Sequence, residues 1–171
     1  FDIVEQNGVR VHVRLNTPGE HMIDDALAAY AACRVSGLGG EEIAEHLGSY
    51  TGVCRRMEKL CVTDKGAVVY SDYAHHPTEI VSTLKSARAM CRGKLNVVFQ
   101  SHTYSRTAEL FNDFVSAFAE SGADEIMLCE IYPARETNIY GVTAAAMMGL
   151  IGKRGKKCRL AKDFSHAAEH M

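Results

Sequence analysis

The chain carries no marked excess of charge of either sign, no long apolar run, no paired cysteines and no glycine-rich phosphate loop, and each absence closes off a class of function. Its 19 Lys and Arg against 21 Asp and Glu leave a formal net charge of -2 over 171 residues. That balance gives no electrostatic footprint for a nucleic acid. The basic GKRGKK stretch at 152–157 reads as a solvated turn before a strand. No apolar run approaches the roughly 20 residues of a membrane span, and no succession of charged, apolar and cleavage-site segments follows Phe1. The six cysteines, at 33, 54, 61, 91, 129 and 158, form no C-x-x-C pair. They read as small core residues of a protein in a reducing compartment. Neither G-x-x-x-x-G-K-[ST] nor a G-x-G-x-x-G after a strand occurs. If a nucleoside triphosphate is used, its phosphate cradle is expected upstream.

What remains is an ordinary globular composition, 47% hydrophobic and 23% charged, with enough chain to bury about two-thirds of its unfolded surface. The segment VEQNGVRVHVRLN at 4–16 alternates Val9, Val11, Val13 and Leu15 with polar residues after Asn7-Gly8, which predicts a hairpin. A chain that starts inside a sheet suggests earlier strands upstream, so the sequence is expected to be a C-terminal piece of a longer protein. MIDDALAAYAACRV places Ile23, Ala26, Leu27, Tyr30 and Ala31 at helical spacing before SGLGG, and EEIAEHLGSY predicts a second helix with Glu41 and Glu42 at its start.

From about residue 60 the pattern alternates. AVVYSDY, LNVVFQ, EIMLCEIY and CRLA read as strands; TEIVSTLKSARAMC, ELFNDFVSAFAESG, VTAAAMMGLIG and the start FSHAAEHM read as helices. Strands separated by helices predict βαβ units, hence a doubly wound parallel α/β sheet with helices on both faces. The expected division is 1–60 and 61–171.

Ligands of such sheets bind beyond the carboxyl ends of the strands. Three polar loops fall there: Asp72-Tyr73-Ala74-His75-His76 with Pro77 at the first helical position, Gln100 to Arg106, and Tyr132-Pro133-Ala134-Arg135-Glu136. Each has a plainer reading. A histidine can cap the helix, two imidazoles do not complete a metal shell, and Arg106 can serve a helix-start salt bridge. Ser105, His102 and Asp72 lack the G-x-S-x-G elbow of a hydrolase. The co-location of the three loops is what marks a site.

In order and spacing, GEHMIDDALAAYAA, GVCRRMEKL, SDYAHHPTEI and FQSHTYSRTAELFNDFV resemble the last part of the Mur ligase family, and the DYAHHPTE and YSRT boxes its muramate-binding subfamily. The resemblance runs from about Pro18 to the end. It implies a three-domain cytoplasmic enzyme of peptidoglycan synthesis that uses ATP and Mg2+ to join L-alanine to the lactyl carboxyl group of UDP-N-acetylmuramate. The carboxylate is activated as an acyl phosphate, the amine attacks, and phosphate leaves. Such chemistry needs positioning and charge neutralisation more than a protein nucleophile.

Under the resemblance, residues 1–60 end an ATP-binding central domain and 61–171 form the Rossmann-like C-terminal ligase domain, truncated at its end. The phosphate loop, the metal ligands and the remaining domains lie in the missing part, so the piece alone is expected to be inactive. His21, Arg56 and Asp72 fall at adenosine contacts. Tyr73, His75, His102 and Arg106 fall at the amino-acid and acyl-phosphate end, where a guanidinium suits the alanine carboxylate. Two positions depart from the family: Met22 stands where Asn is usual, and Thr103 where many members carry Arg, with Arg135 as a conceivable substitute cation. Two alternatives stay open, a recycling ligase that attaches a ready-made tripeptide to the same sugar nucleotide, and a non-catalytic nucleotide- or anion-binding α/β module.

Overall fold

A computed structural model describes residues 1–170, in two compact units, Phe1–Tyr73 and the residues from Ala74 on. Met171, the last residue of the expected terminal helix, lies outside the described residues.

In the first unit, β1 (Asp2–Val4) and β2 (Arg10–His12) pair antiparallel with Ile3 opposite Val11. The Asn7-Gly8 turn forms as the sequence predicts. Gly8 takes φ 84°, its N–H donates to the Glu5 carbonyl at 2.9 Å, and Asn7 Oδ1 accepts from Val9 N. Helices α1 (His21–Val35) and α2 (Gly40–Ser49) cover one face, closing a core of Ile3, Val11, Val13, Tyr30, Ile43 and Ala44. The seam on α1 is narrower than its spacing suggests. Ala26 and Tyr30 are buried, whereas Ile23, Leu27 and Ala31 are exposed, because the small core is filled by one residue per turn.

A polar knot ties the hairpin turn to α1. Glu5 Oε1 accepts from Tyr30 Oη at 2.7 Å and Arg34 Nε at 2.8 Å, and Oε2 from Arg34 Nη2 at 3.2 Å. The Arg34 guanidinium, then the Tyr30 hydroxyl, hold the Glu5 carboxyl below its usual range. Gly40 permits this packing: a Cβ there would meet Tyr30 Oη at 2.5 Å and Val11 Cγ2 at 3.0 Å.

The strand expected over AVVYSDY does not join the parallel sheet. It is β4 (Val68–Ser71), paired antiparallel with β3 (Glu58–Val62) in a separate two-stranded ribbon. The reason is local: Thr63 and Gly66 make a tight turn, with Thr63 N donating to Ala67 O and Gly66 at φ 82°, so the two segments zip together directly.

In the second unit, β5 (Asn96–His102), β6 (Glu125–Tyr132) and β7 (Cys158–Leu160) form a parallel sheet in that order, with β6 central. Both faces of β6 are covered, as the doubly wound reading requires. Ile126 and Leu128 enter a core with Ile80 and Leu84 of α3 (Pro77–Met90), Phe114 and Phe118 of α5 (Phe111–Ala119) and Met147 and Ile151 of α6 (Ala144–Lys153). Met127 and Cys129 point the other way, against Ala161, which follows β7, and Ala167 of α7 (Phe164–His170). Phe99 of β5 meets Phe118 and Phe114 at 4.9 and 5.8 Å between ring centres. Each such buried large side chain contributes about 1.5–3 kcal/mol.

The helix expected over 109–122 is present as α5, shorter at both ends. A short α4 (Tyr104–Glu109) ends at Leu110, whose φ of -103° and ψ of 19° interrupt the spiral before α5. Two further expectations are corrected. Cys129 alone among the cysteines is fully buried; Cys54 and Cys61 are exposed, one in a turn and the other on the open β3–β4 ribbon, and all six are free. The basic stretch at 152–157 is not simply solvated: Lys156 Nζ donates to Ser121 O and Ala123 O, Arg154 Nη1 donates to Ser116 Oγ, and Lys157 pairs with Glu125. No helix among the described residues is long and apolar enough to cross a membrane.

Candidate functional site

In the first unit two chain segments meet around Asp72. The turn 55–57 between α2 and β3 contains two non-glycine residues in the left-handed region, Arg55 at φ 61° and Met57 at φ 47°, a conformation that costs L residues energy unless contacts enforce it. Two carboxylates do so. Asp72 Oδ2 accepts from Met57 N at 2.8 Å, and Glu58 Oε2 accepts from Arg55 N at 2.8 Å. The Arg55 guanidinium lies 4.2 Å from the centre of the Tyr73 ring, a cation–π contact. The structure thus brings Asp72 and Tyr73 to the turn that carries Arg56, which is exposed there. His21 is the first residue of α1 and half-buried, beside Met22.

In the second unit, the two histidines open α3. His76 occupies the N-cap position with an extended backbone and Pro77 is the first helical residue. The side chain that caps is not a histidine. Glu79 Oε2 accepts from His75 N at 2.9 Å and His76 N at 3.1 Å and lies 3.5 Å from His75 Nδ1, satisfying free amides at the helix start. His76 Nδ1 is 3.0 Å from Thr78 Oγ1.

The loops after β5 and β6 meet at the carboxyl edge of the sheet. A bulge lets them do so: Gln100 pairs with Cys129 and His102 with Tyr132, so β6 holds one extra residue, and Gln100 Nε2 donates to the Glu130 carbonyl there. His102 consequently faces Tyr132, 5.3 Å between ring centres. Thr103 N donates to Tyr132 O at 2.8 Å. Glu136 reaches across to the start of α4, accepting from Ser105 N at 2.8 Å and Ser105 Oγ at 2.6 Å. These two bonds, the hydroxyl's first, hold the Glu136 carboxyl below the usual glutamate range. Ser105 Oγ thus donates to Glu136, not to His102 as a nucleophile's hydroxyl would. Arg106 is half-buried in the first turn of α4, and among the described residues no ion pair occupies its guanidinium, leaving it able to bind a carboxylate or phosphate group.

Of the seven residues singled out from the sequence, Asp72 and Tyr73 contact the neighbours of Arg56 in the 55–57 turn, His75 stands with Glu79 at the head of α3, and His102, four residues before Arg106, packs on Tyr132; none of these contacts among the described residues joins His21 to the others. Sequence reasoning missed Arg55, Glu58 and the clamping function of Glu136. Left-handed backbone at non-glycine residues leaves no compositional trace, and a bond from residue 136 to residue 105 has no local signature. Among the described residues no group of three His, Cys, Asp or Glu is placed to hold a metal ion.

Comparison with known proteins fits this geometry. The chain is 43% identical over 173 residues to the UDP-N-acetylmuramate--L-alanine ligase of Clostridium botulinum, and 37% identical over 172 residues to that of Caldicellulosiruptor saccharolyticus. Each alignment takes in 100% of this chain and 37% of the relative, so the chain spans little more than a third of the proteins it matches. The crystal structure of UDP-N-acetylmuramate-alanine ligase from Thermotoga maritima superposes with a TM-score of 0.76 at 25% identity, covering 98% of this chain and 35% of that one. The family described as Mur ligase, glutamate ligase domain, matches residues 55–171, the stretch that holds the 55–57 turn, the α3 histidines and the Glu136-clamped loop, and the chain belongs to that family.

Proposed function

We propose that this chain is part of an ATP-dependent ligase that joins L-alanine to UDP-N-acetylmuramate through an acyl-phosphate intermediate, in the cytoplasm, for peptidoglycan synthesis. The observation that carries this reading is identity of 37–43% along the whole chain to ligases of that name. In this reading residues 1–60 end the ATP-binding domain and 61–171 form the ligase domain. The triphosphate and Mg2+ are held mainly by residues outside this chain, since its sequence has no phosphate loop.

What the chain supplies is positioning. Arg56 and Asp72 lie together beside the β3–β4 ribbon and are assigned to adenosine, with His21 at the adenine. Arg106 is assigned to the alanine carboxylate, which a guanidinium binds through two parallel hydrogen bonds. Tyr73, His75 and His102 are assigned to the amine and acyl-phosphate end, where imidazole and phenol groups can hold or pass a proton. Arg135, in the same loop as Glu136, is exposed and can add the positive charge that Thr103 does not.

The test is phosphate release from ATP by the full-length protein with UDP-N-acetylmuramate and either L-alanine or the tripeptide. Alanine-dependent release is expected. Release only with tripeptide would reassign the protein to recycling, and release with neither would favour a binding module.

A further inference from the structure

We propose that Glu136 is a positioning residue that clamps the first turn of α4 and thereby sets the direction of Arg106; the inference rests on the reading of Arg106 as the partner of the amino-acid carboxylate. Thr103 enters α4 with a strained backbone. Its φ of 71° and ψ of 142° lie in a region that glycine visits and a β-branched residue almost never does. Such a conformation persists only when its surroundings over-determine it.

Thr103 sits at the N-cap position of α4, yet its side chain caps nothing. The exposed amides at the helix start need an acceptor from elsewhere. Glu136 provides it, with one carboxylate oxygen on Ser105 N and the other on Ser105 Oγ. A two-point grip on a single residue fixes orientation as well as position. The residue gripped immediately precedes Arg106. Glu136 is itself presented by a tight turn, with Ala134 at φ 53° and Glu136 N donating to Pro133 O at 2.9 Å. From the other side Thr103 N is fixed on Tyr132 O, and Thr103 O accepts from Thr107 Oγ1 at 2.6 Å. Removing the carboxylate lets Thr103 relax towards an ordinary φ and lets the first turn of α4, with Arg106, swing.

The test uses the full-length protein. Glu136→Ala is expected to raise the KM for L-alanine by about tenfold, the scale of one lost helix cap, with kcat and the KM for ATP little changed. Glu136→Gln should stay near the parent, because its amide oxygen can accept Ser105 N–H while its NH2 donates to the hydroxyl. Adding Thr103→Gly to Glu136→Ala should recover most of the loss, since glycine adopts the Thr103 conformation without strain. Unchanged alanine KM in Glu136→Ala, or no recovery from the glycine, would overturn the proposal. Amide exchange across 103–107 decides the clamp without substrate: faster exchange in Glu136→Ala supports it and unchanged exchange refutes it. A parent without alanine-dependent phosphate release would sink the ligase reading, and the exchange result would still judge the clamp.

Discussion

Arg106 and Asp72 carry the sharpest expectations at the scale of single residues. Arg106→Ala in the full-length protein should raise the KM for L-alanine by one to two orders of magnitude, the loss of a charge-assisted bidentate pair, and Arg106→Lys should restore little of it because an ammonium lacks the planar fork. Steady-state kinetics with varied alanine decides this, and an unaltered KM removes Arg106 from the site. Under the proposed function Asp72 has two separable duties. Asn can still accept the Met57 N–H, so Asp72→Asn should keep the melting temperature while weakening ATP use. Asp72→Ala should also lose about 1–2 kcal/mol as the 55–57 turn is left without its acceptor. Full ATP affinity in the Asn variant would confine Asp72 to holding the turn.

At the scale of elements, the hairpin and α1 are joined by the Glu5 knot and by the close approach at Gly40. Gly40→Ala places a methyl 2.5 Å from Tyr30 Oη and should destabilise the first unit by about 1–3 kcal/mol, read as a lower denaturation midpoint with an unchanged slope. Stability equal to the parent would mean that α2 shifts at no cost.

Most elements were legible from the sequence for local reasons. Asn7-Gly8 specifies its turn, Pro77 marks the start of α3, and the alternate burial of Ile126 and Leu128 against Met127 and Cys129 explains why EIMLCEIY reads as a continuous apolar run. The misread strand has a physical cause: partner choice is not local. AVVYSDY has the composition of a buried strand but pairs with β3. The loops after β5 and β6 were legible as polar loops at one sheet edge, whereas the 72–76 loop follows the separate β3–β4 ribbon. The bonds that hold these loops, from Asp72 to Met57 and from Glu136 to Ser105, were not legible, because each joins residues remote in sequence.

For the whole molecule, five carboxylates among the described residues are tied to partners that favour their charged form, Asp2 among them through its hydrogen bond with His12. Besides Glu5 and Glu136, the Leu95 amide and then Arg88 hold Asp124 below its ordinary value, and Lys157 followed by Arg159 do the same for Glu125. A carboxyl group whose pKa is depressed on folding contributes stability above its unfolded pKa and loses it as pH falls through the folded value. Both units should therefore be steady at neutral pH and weaken once pH drops below the ordinary carboxylate range near 4. Urea midpoints from pH 7 down to pH 3 would measure the slope. Glu125→Gln should flatten it, and an identical slope would remove this ion pair from the acid response.

The free thiols give the protein a built-in clock. Cys33, Cys54 and Cys61 lie in the first unit and Cys91, Cys129 and Cys158 in the second, three for each. Burial raises the Cys129 thiol and pushes that of Cys158 up to about 11, so at pH 8 only about one Cys158 in a thousand is a reactive thiolate. Pulsed alkylation read by peptide mass should mark Cys54 and Cys61 quickly within the native state, mark Cys158 slowly, and reach Cys129 only when the sheet around β6 opens. The order in which the six masses shift would time the loosening of each unit separately, with no tag or engineered probe added.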